Sequence, residues 1–421
     1  MPLSGGAVPV RSLTFDGVGR TVTLVIATAT ATATATADDR LDALPPFDVP
    51  QPWWQEVASV VAGARDRYGV EVQVLRLLHG DRPAPPGGHV TYLAETPAEV
   101  MPLPGATPVA IDRSPQPCRA PWAVPGGPAA SVAWALAALD TPGAVAVQQR
   151  SWNLSAVWRL DVGGSPVAWL KQVPAFFAHE AAVLRLVEEV APGLTPRLLA
   201  AGPDGRMLLS AAPGEECYGA SAAVRQQIAA DLHPVQEGFA GRVDDLLAAG
   251  VPDRRSILRR VREVAEPYLG SIPGLAQVVA ELPGRLAAID ACGLPDTLVH
   301  GDLHPGNVIA DGTGRVLIDW GDAVVGNPAY DIVRLVEDLP AAQGVPVIGR
   351  WAERWRRSAP GSDPERALAL IGPVVELRLA TVYADFLANI EPSERPYHAA
   401  DVPERLAAAV AASAVPPVGI P

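Results

Sequence analysis

The stretch His300-Gly301-Asp302-Leu303-His304-Pro305-Gly306-Asn307, followed by the apolar run Val316-Leu317-Ile318 that ends in Asp319-Trp320, constrains this chain more than any other feature. A strand-like run, a polar loop and a second strand that stops on an acid hold three polar side chains at fixed spacing. Asp302 and Asn307 lie five positions apart, and Asp319 closes the apolar run. Phosphoryl transfer from ATP needs that inventory: one carboxylate to face the acceptor hydroxyl, and an amide and a second carboxylate to hold Mg²⁺ against the phosphates. Hard oxygen ligands suit that ion.

Protein kinases carry the same spacing as H-R-D-x-x-x-x-N followed by D-F-G. Here Gly301 replaces the arginine, and the triplet reads Asp319-Trp320-Gly321. The wording H-G-D-L-H-P-G-N with I-D-W resembles the aminoglycoside phosphotransferase and choline kinase group of kinase-like enzymes. The resemblance runs from about Val145 to Ile390 and implies an α+β chain with a bilobal protein-kinase-like fold, a small β-rich lobe and a large, mostly helical one. It implies Asp302 as catalytic base and Asn307 and Asp319 as metal ligands. His300 then reads as a scaffold residue of the catalytic loop and His304 as a neighbour supporting it. Gly326-Asn327-Pro328-Ala329-Tyr330-Asp331 matches the group's G-D-P-x-x-D with Asn327 in place of the first aspartate. Asp331 is expected to begin the next helix and meet its free N–H groups. Asp322 faces either the acceptor pocket or solvent.

Composition supplies a second, independent signal. Of 33 Lys plus Arg residues only Lys171 is a lysine, leaving 33 − 1 = 32 arginines. A lone lysine in such a chain points to a place where a compact ammonium fits and a planar guanidinium does not. Lys171 ends the strand-like run Val167–Leu170, and Glu180 follows in a helical run. A kinase strand lysine contacts the phosphates and is held by a glutamate of the next helix. Lys171 and Glu180 are therefore candidate nucleotide-site residues. Strands at Val145–Gln149, Ala156–Asp161 and Val167–Lys171 would form the small lobe. The turn Arg150–Ser155 lacks the glycines of a phosphate-covering loop; Asn153 and Ser155 are the candidates for that role, against a plain hairpin turn. Met207–Gly214 resembles the strand-to-hinge connection of the superfamily, with backbone groups at Ser210 and Ala212 toward adenine.

The rest of the composition mostly excludes. Net charge is −13 with no Lys/Arg cluster, so neither nucleic acid nor an anionic membrane is an expected partner. Cys118, Cys217 and Cys292 are scattered and odd in number, with neither a disulfide framework nor zinc spacing. Together with an ATP site they favour the cytoplasm. The Ala-Thr repeat from Ala27 to Ala37 mimics the end of a signal peptide but reads better as a strand running into a connector.

Four segments follow. Residues 1–100 form an N-terminal α+β domain of unassigned role, with a strand at Val22–Ile26, a helix from Trp53 to Tyr68 closed by Gly69, and strands at Glu71–Leu78 and His89–Ala94. Trp53 and Trp54 read as packing residues. Residues 101–143 form a Pro/Gly-rich linker with a short helix at Pro128–Leu139; 144–213 are small lobe and hinge; 214–421 are the helical large lobe. Helices are expected at Ala222–Leu232, Val243–Ala249, Ser256–Tyr268, Leu275–Ala291 and Pro364–Ile390, the last interrupted near Gly372-Pro373.

The expected reaction moves the γ-phosphoryl of ATP to a small-molecule hydroxyl on an aminoglycoside-like antibiotic, amino sugar or amino alcohol. Glu376, Tyr383, Asp385, Tyr397 and His398 are candidate acceptor-pocket residues, each with surface placement as the alternative. Rival readings are a nucleotide-binding module without turnover, a protein kinase, disfavoured by a missing A-P-E segment, and a His/Asp metal cluster of a hydrolase, which leaves Asn307, Lys171 and Glu180 unused.

Overall fold

β-Branched alternation through Thr21–Ile26 gives the strand around which the first sheet assembles. The computed structural model describes residues 19–28, 41–82, 87–96, 103–112 and 114–414; residues 1–18 and most of the Ala-Thr repeat lie outside them. The first unit contains β1 (Arg20–Thr28), β2 (Leu41–Ala43), β3 (Phe47–Val49), α1 (Ala58–Tyr68), β4 (Gln73–Gly80), β5 (His89–Thr96) and β6 (Thr107–Val109). The sheet order is β4-β5-β1-β2-β6, with β3 also on β1; β1 and β5 run parallel and the other pairs antiparallel. β6 comes from the stretch read as linker. Gly69 ends α1 in the left-handed region at φ 68°, its N–H returned to the carbonyls of Ala64 and Arg65.

After α2 (Gly127–Leu139) come β7 (Val145–Trp152), β8 (Ser155–Val162), β9 (Ser165–Gln172), α3 (Glu180–Val190), β10 (Leu198–Ala201) and β11 (Arg206–Ser210). They make the small lobe, an antiparallel sheet in the order β10-β11-β9-β8-β7. This order leaves β7 as an edge, and an uncovered edge pairs with other chains. The N-terminal unit covers it. Val74 N–H donates to Gln148 Oε1 at 2.7 Å, and Gln148 Nε2 returns a bond to the Val74 carbonyl at 2.8 Å. Ser151 N–H reaches the Gln55 carbonyl at 3.1 Å, and Val57 N–H reaches that of Gln149 at 2.9 Å. Trp54 is buried at the same junction, 6.0 Å from Trp152 and 4.8 Å from Tyr397 between ring centroids.

The large lobe contains β12 (Glu215–Glu216), α4 (Ala222–Phe239), α5 (Val243–Ala248), α6 (Leu258–Ala265), α7 (Leu275–Asp290), β13 (Thr297–Val299), β14 (Val308–Ala310), β15 (Arg315–Leu317), β16 (Val324–Gly326), α8 (Ala329–Val336), α9 (Ala341–Ser358), α10 (Pro364–Asn389), α11 (Arg395–His398) and α12 (Asp401–Ala414). The fold is α+β and bilobal, of the protein-kinase-like kind. Prolines do not break its helices where the sequence places breaks. α10 runs unbroken through Pro373, and α4 continues past Leu232 and through Pro234 to Phe239. A proline inside a helix removes one hydrogen bond and crowds the preceding turn. Flanking apolar residues outweigh that here: Ile371, Val374, Val375 and Leu377 around the first, and Leu232 and Val235 around the second, are all in the core. α10 is long and apolar enough to cross a membrane, but Ile371, Val374, Leu377 and Ala380 on it belong to that core.

Candidate active site

A hairpin sets the spacing of the two candidate metal ligands, Asn307 and Asp319. β14 and β15 pair Val308 with Leu317, Ile309 with Val316 and Ala310 with Arg315. Asp311 Oδ1 closes the turn by accepting from the N–H groups of Thr313 and Gly314 at 2.8 and 3.1 Å. One step beyond the ladder, Ile318 N–H donates to the Asn307 carbonyl at 2.9 Å. The register therefore brings Asn307 beside Ile318-Asp319, although twelve positions separate Asn307 from Asp319. Asp319 then leaves the strand at φ 63°, ψ 61°, a left-handed conformation that a non-glycine residue adopts at some cost. Trp320 holds it: its indole is fully buried and donates to the Leu317 carbonyl at 3.0 Å.

Asp302 is fixed from three sides. Oδ1 accepts from Arg334 Nε at 2.8 Å, Oδ2 accepts from Asn307 Nδ2 at 3.1 Å, and His304 Nε2 lies 3.4 Å from Oδ2. Burial alone would raise this carboxyl, but Arg334 and His304 hold it well below the usual range. Arg334 is absent from the motif reading. Its sequence signal is its position three residues after Asp331, on the same helical face.

The backbone of the candidate catalytic loop, His300–Asn307, is pinned from beneath. Asp331 Oδ2 accepts from His300 N–H and Gln236 Nε2, both at 2.9 Å, and Oδ1 accepts from Gly301 N–H at 3.0 Å. This corrects the expectation that Asp331 caps its own helix. Asn327 takes that place, its Oδ1 accepting from Ala329 N–H at 3.0 Å, while the Asp331 carboxylate turns outward to brace the loop. Burial raises the Asp331 carboxyl to about 6. His300 is fully buried, donates Nε2–H to the Ile318 carbonyl at 3.1 Å, and accepts a long bond from Asp302 N–H at 3.4 Å. Burial lowers it to about 4, so the ring is neutral at pH 7. Gly301 has φ +87°, and a Cβ there would stand 2.0 Å from the Asp322 carbonyl oxygen. That close approach explains a glycine in this position.

Lys171 Nζ sits between Glu180 Oε1 at 2.7 Å and Asp319 Oδ1 at 2.6 Å. Burial opposes its charge, but the two carboxylates raise the ammonium above its ordinary range. The β9 register places Lys171 opposite Val157 on one side and Met207 on the other, and Glu180 opens α3.

These groups line one cavity of about 300 Å³. Lys171, Glu180, Asp302, Asn307, Asp319, Ser155, Ser210 and Ala212 all contribute to it, as do His304 and Asp322. Burial and the charges of Asp302 and Asp319 push Asp322 up to about 7. Ser155 Oγ accepts from Trp152 Nε1 at 2.8 Å. Asn153 is turned away from any phosphate-covering role: its N–H donates to Glu394 Oε2 at 3.0 Å, and its Oδ1 accepts from Glu391 N–H at 3.2 Å. At the hinge, Ser210 and Ala211 N–H groups go to the Arg197 and Val167 carbonyls. The five C-terminal acceptor candidates are engaged elsewhere. Glu376 pairs with Arg405 at 3.1 Å, and Asp385 with Arg254 and Arg260 at 3.0 and 2.6 Å. Tyr397 packs on Trp54, and His398 faces Tyr383 and bonds Asp401 at 3.0 Å. Phe386 is the α10 residue that reaches the cavity.

The donor set fits Mg²⁺. One amide and one carboxylate, with a triphosphate to complete the shell, match the way that ion is held in phosphoryl-transfer sites. Among the described residues no group of three His, Cys, Asp or Glu side chains is spaced to hold a metal alone. Cys118, Cys217 and Cys292 are free thiols.

The chain is similar to a choline/ethanolamine kinase family protein from Mesorhizobium loti, at 18% identity over 62% of this chain and 86% of that one, with a TM-score of 0.46. It is also similar to a macrolide 2'-phosphotransferase from Brachybacterium faecium, at 20% identity over 59% and 88% of the two chains, with a TM-score of 0.45. A 39-residue segment is 51% identical to the uncharacterized protein YcbJ of Bacillus subtilis (strain 168), covering 9% of this chain and spanning only 13% of that relative's length. Residues 148–370, just over half of the chain, match the model of the APH phosphotransferase enzyme family, and the chain belongs to that family.

Proposed function

We propose that this protein is an ATP-dependent small-molecule kinase that moves the γ-phosphoryl of ATP to an alcohol oxygen of its acceptor. One observation carries the reading: a carboxylate immobilised by Asn307 and Arg334 shares a cavity with the Lys171–Glu180–Asp319 cluster. Asp302 orients the acceptor hydroxyl and takes its proton late, which a loose transition state allows for a base of low pKa. Lys171, held by Glu180, meets the phosphates. Asn307 and Asp319 are the residues that would hold Mg²⁺, which when bound neutralises charge on the triphosphate. Ser210 and Ala212 lie where the adenine edge would meet backbone groups.

Acidity supports a cationic acceptor. Glu56, Glu180, Glu216, Asp302, Asp319 and Asp322 all line the cavity, and the chain carries a net charge of −13. An aminoglycoside-like compound, amino sugar or amino alcohol would place its ammonium among those carboxylates. The same reading puts the protein in the cytoplasm, where ATP is, with neither nucleic acid nor membrane as partner. The test is ATP consumption with ³¹P detection of product across aminoglycosides, amino sugars, choline-like alcohols and nucleosides. A phosphate monoester should form with a cationic acceptor, and Asp302→Asn should lower kcat by roughly 10²–10⁴-fold with ATP affinity within a few-fold. Undiminished turnover by that variant would remove Asp302 from the mechanism.

A further inference from the structure

The two-residue turn at Asn153-Leu154 cannot act as a phosphate cover while it is tied to Glu391 and Glu394. A triphosphate in this cavity then needs cationic contacts from elsewhere, because the lining is rich in carboxylates. Lys171 is already shared between two of them. The second permanent cation among the described lining residues is Arg150.

Arg150 reaches the cavity because β7 is irregular at that point. The register with β8 shifts between Gln148, opposite Trp158, and Arg150, opposite Val157. An extra residue in one strand re-aims the side chains that follow. Gln148 is left bonded to the N-terminal unit through Val74, while Gln149 and Arg150 line the cavity. The N-terminal unit seats itself on this same irregularity. Glu56 bridges to Arg150 in the backbone, and Arg150 Nε donates to Glu56 Oε1 at 3.0 Å. Nη2 lies 2.9 Å from that oxygen but is buried without a well-aligned hydrogen bond. Glu56 therefore fixes the guanidinium by one edge and leaves donors unspent.

We propose that Arg150 is a phosphate-binding residue of the nucleotide site, and that Glu56 of the N-terminal unit positions it. The inference rests on reading the cavity as a nucleotide site, and it assigns the N-terminal unit a direct part in nucleotide binding. A guanidinium offers several donors in a fixed plane, so one edge can serve a carboxylate while the rest serve phosphate oxygens.

The test is calorimetric binding of Mg-ATP, Mg-ADP and adenosine to the full chain and to Arg150→Gln, Arg150→Lys, Glu56→Gln and the Arg150→Gln/Glu56→Gln double variant, each checked for an unchanged melting profile. Arg150→Gln should weaken ATP by at least about tenfold, ADP by less, and adenosine by less than twofold; Arg150→Lys should recover part of the loss. Glu56→Gln should weaken ATP by a smaller factor, and the double variant should be no worse than Arg150→Gln, since a positioning residue has nothing left to position. Equal losses for adenosine and ATP would mean a general disturbance of the cavity and would overturn the proposal. So would an additive double variant, or an Arg150→Gln that binds ATP normally. A wild-type chain that bound none of the three would instead overturn the nucleotide-site reading itself, and this inference with it. Glu56→Gln is isosteric and Arg150→Gln keeps a polar side chain, and the melting profiles separate a loss of phosphate contact from a loss of fold.

Discussion

Lys171 shows how much one residue can reveal, and Arg334 how little. Where 32 of 33 basic residues are arginine, the single lysine stands out in the sequence before any contact is known, and its ammonium does sit between two carboxylates at 2.7 and 2.6 Å. Lys171→Arg keeps the charge but forces a planar fork into a space fitted to a point charge. A loss of kcat/KM of at least about tenfold, or about 1.4 kcal/mol, is expected in steady-state kinetics. Lys171→Met leaves Glu180, 1% exposed, without its counter-charge, and breaking such a buried pair costs about 3–5 kcal/mol. Full activity in Lys171→Arg would show that the lysine survived by chance. Arg334 is one arginine among many, and only the packing of α8 under the loop brings it to Asp302. Its removal in Arg334→Gln lets the Asp302 carboxyl rise toward its ordinary range. A base must be deprotonated to act, so the acid limb of the kcat/KM profile should move to higher pH by about one unit or more. An unmoved acid limb would mean that Arg334 does not set the charge state of Asp302.

At the scale of elements, the β14–β15 hairpin and α8 divide the work of holding the loop. Of the hairpin only the second strand was legible, as the apolar run Val316–Ile318 that ends in Asp319; the turn on Asp311 and the ladder with Val308–Ala310, which bring Asn307 next to Asp319, carried no signal that was read. The brace from α8 was not legible either, because the G-N-P-x-x-D wording marks Asp331 as helix-initial without saying that its carboxylate points back to His300 and Gly301. Helix lengths failed for a related reason. Proline is a local signal, and at Pro234 and Pro373 burial of the surrounding apolar residues outweighs it. Asp331→Asn tests the brace. An amide presents one acceptor and one donor where the loop offers only N–H donors, so one of the His300 and Gly301 bonds becomes a clash. We expect about 1–3 kcal/mol of lost stability in denaturant titration, and a fall in kcat larger than the change in ATP affinity. A variant with lowered stability and wild-type kcat would make Asp331 a fold residue with no bearing on the catalytic loop.

For the whole molecule, the contacts that join its parts have long sequence separations and no local signature: Glu56 to Arg150 spans 94 positions and Glu394 to Asn153 spans 241. Three strands and the helix of the N-terminal unit could be read from periodicity, but not the three-residue strands β2, β3 and β6, nor where the unit docks. Glu394 is the most exposing test of that junction, because it sits where the N-terminal unit, the small-lobe turn and the C-terminal segment meet. It is 1% exposed; Oε2 accepts from Asn153 N–H at 3.0 Å, and Oε1 is buried without a partner. Nearby, Glu391 pairs with Arg119 at 2.9 Å, and Tyr397 packs on Trp54. Burial raises the Glu394 carboxyl from an ordinary 4.5 to about 8. A group raised on folding binds its proton more tightly in the folded state, so its stabilising contribution is complete below about pH 4.5 and is lost as pH climbs through 8. The wild-type melting temperature should therefore fall between pH 6 and pH 9. Glu394→Gln carries no charge at either pH, can still accept from Asn153, and should shrink that fall by at least about 2 °C. Parallel melting curves for the two proteins would place the alkaline sensitivity elsewhere and leave the junction indifferent to the charge of Glu394.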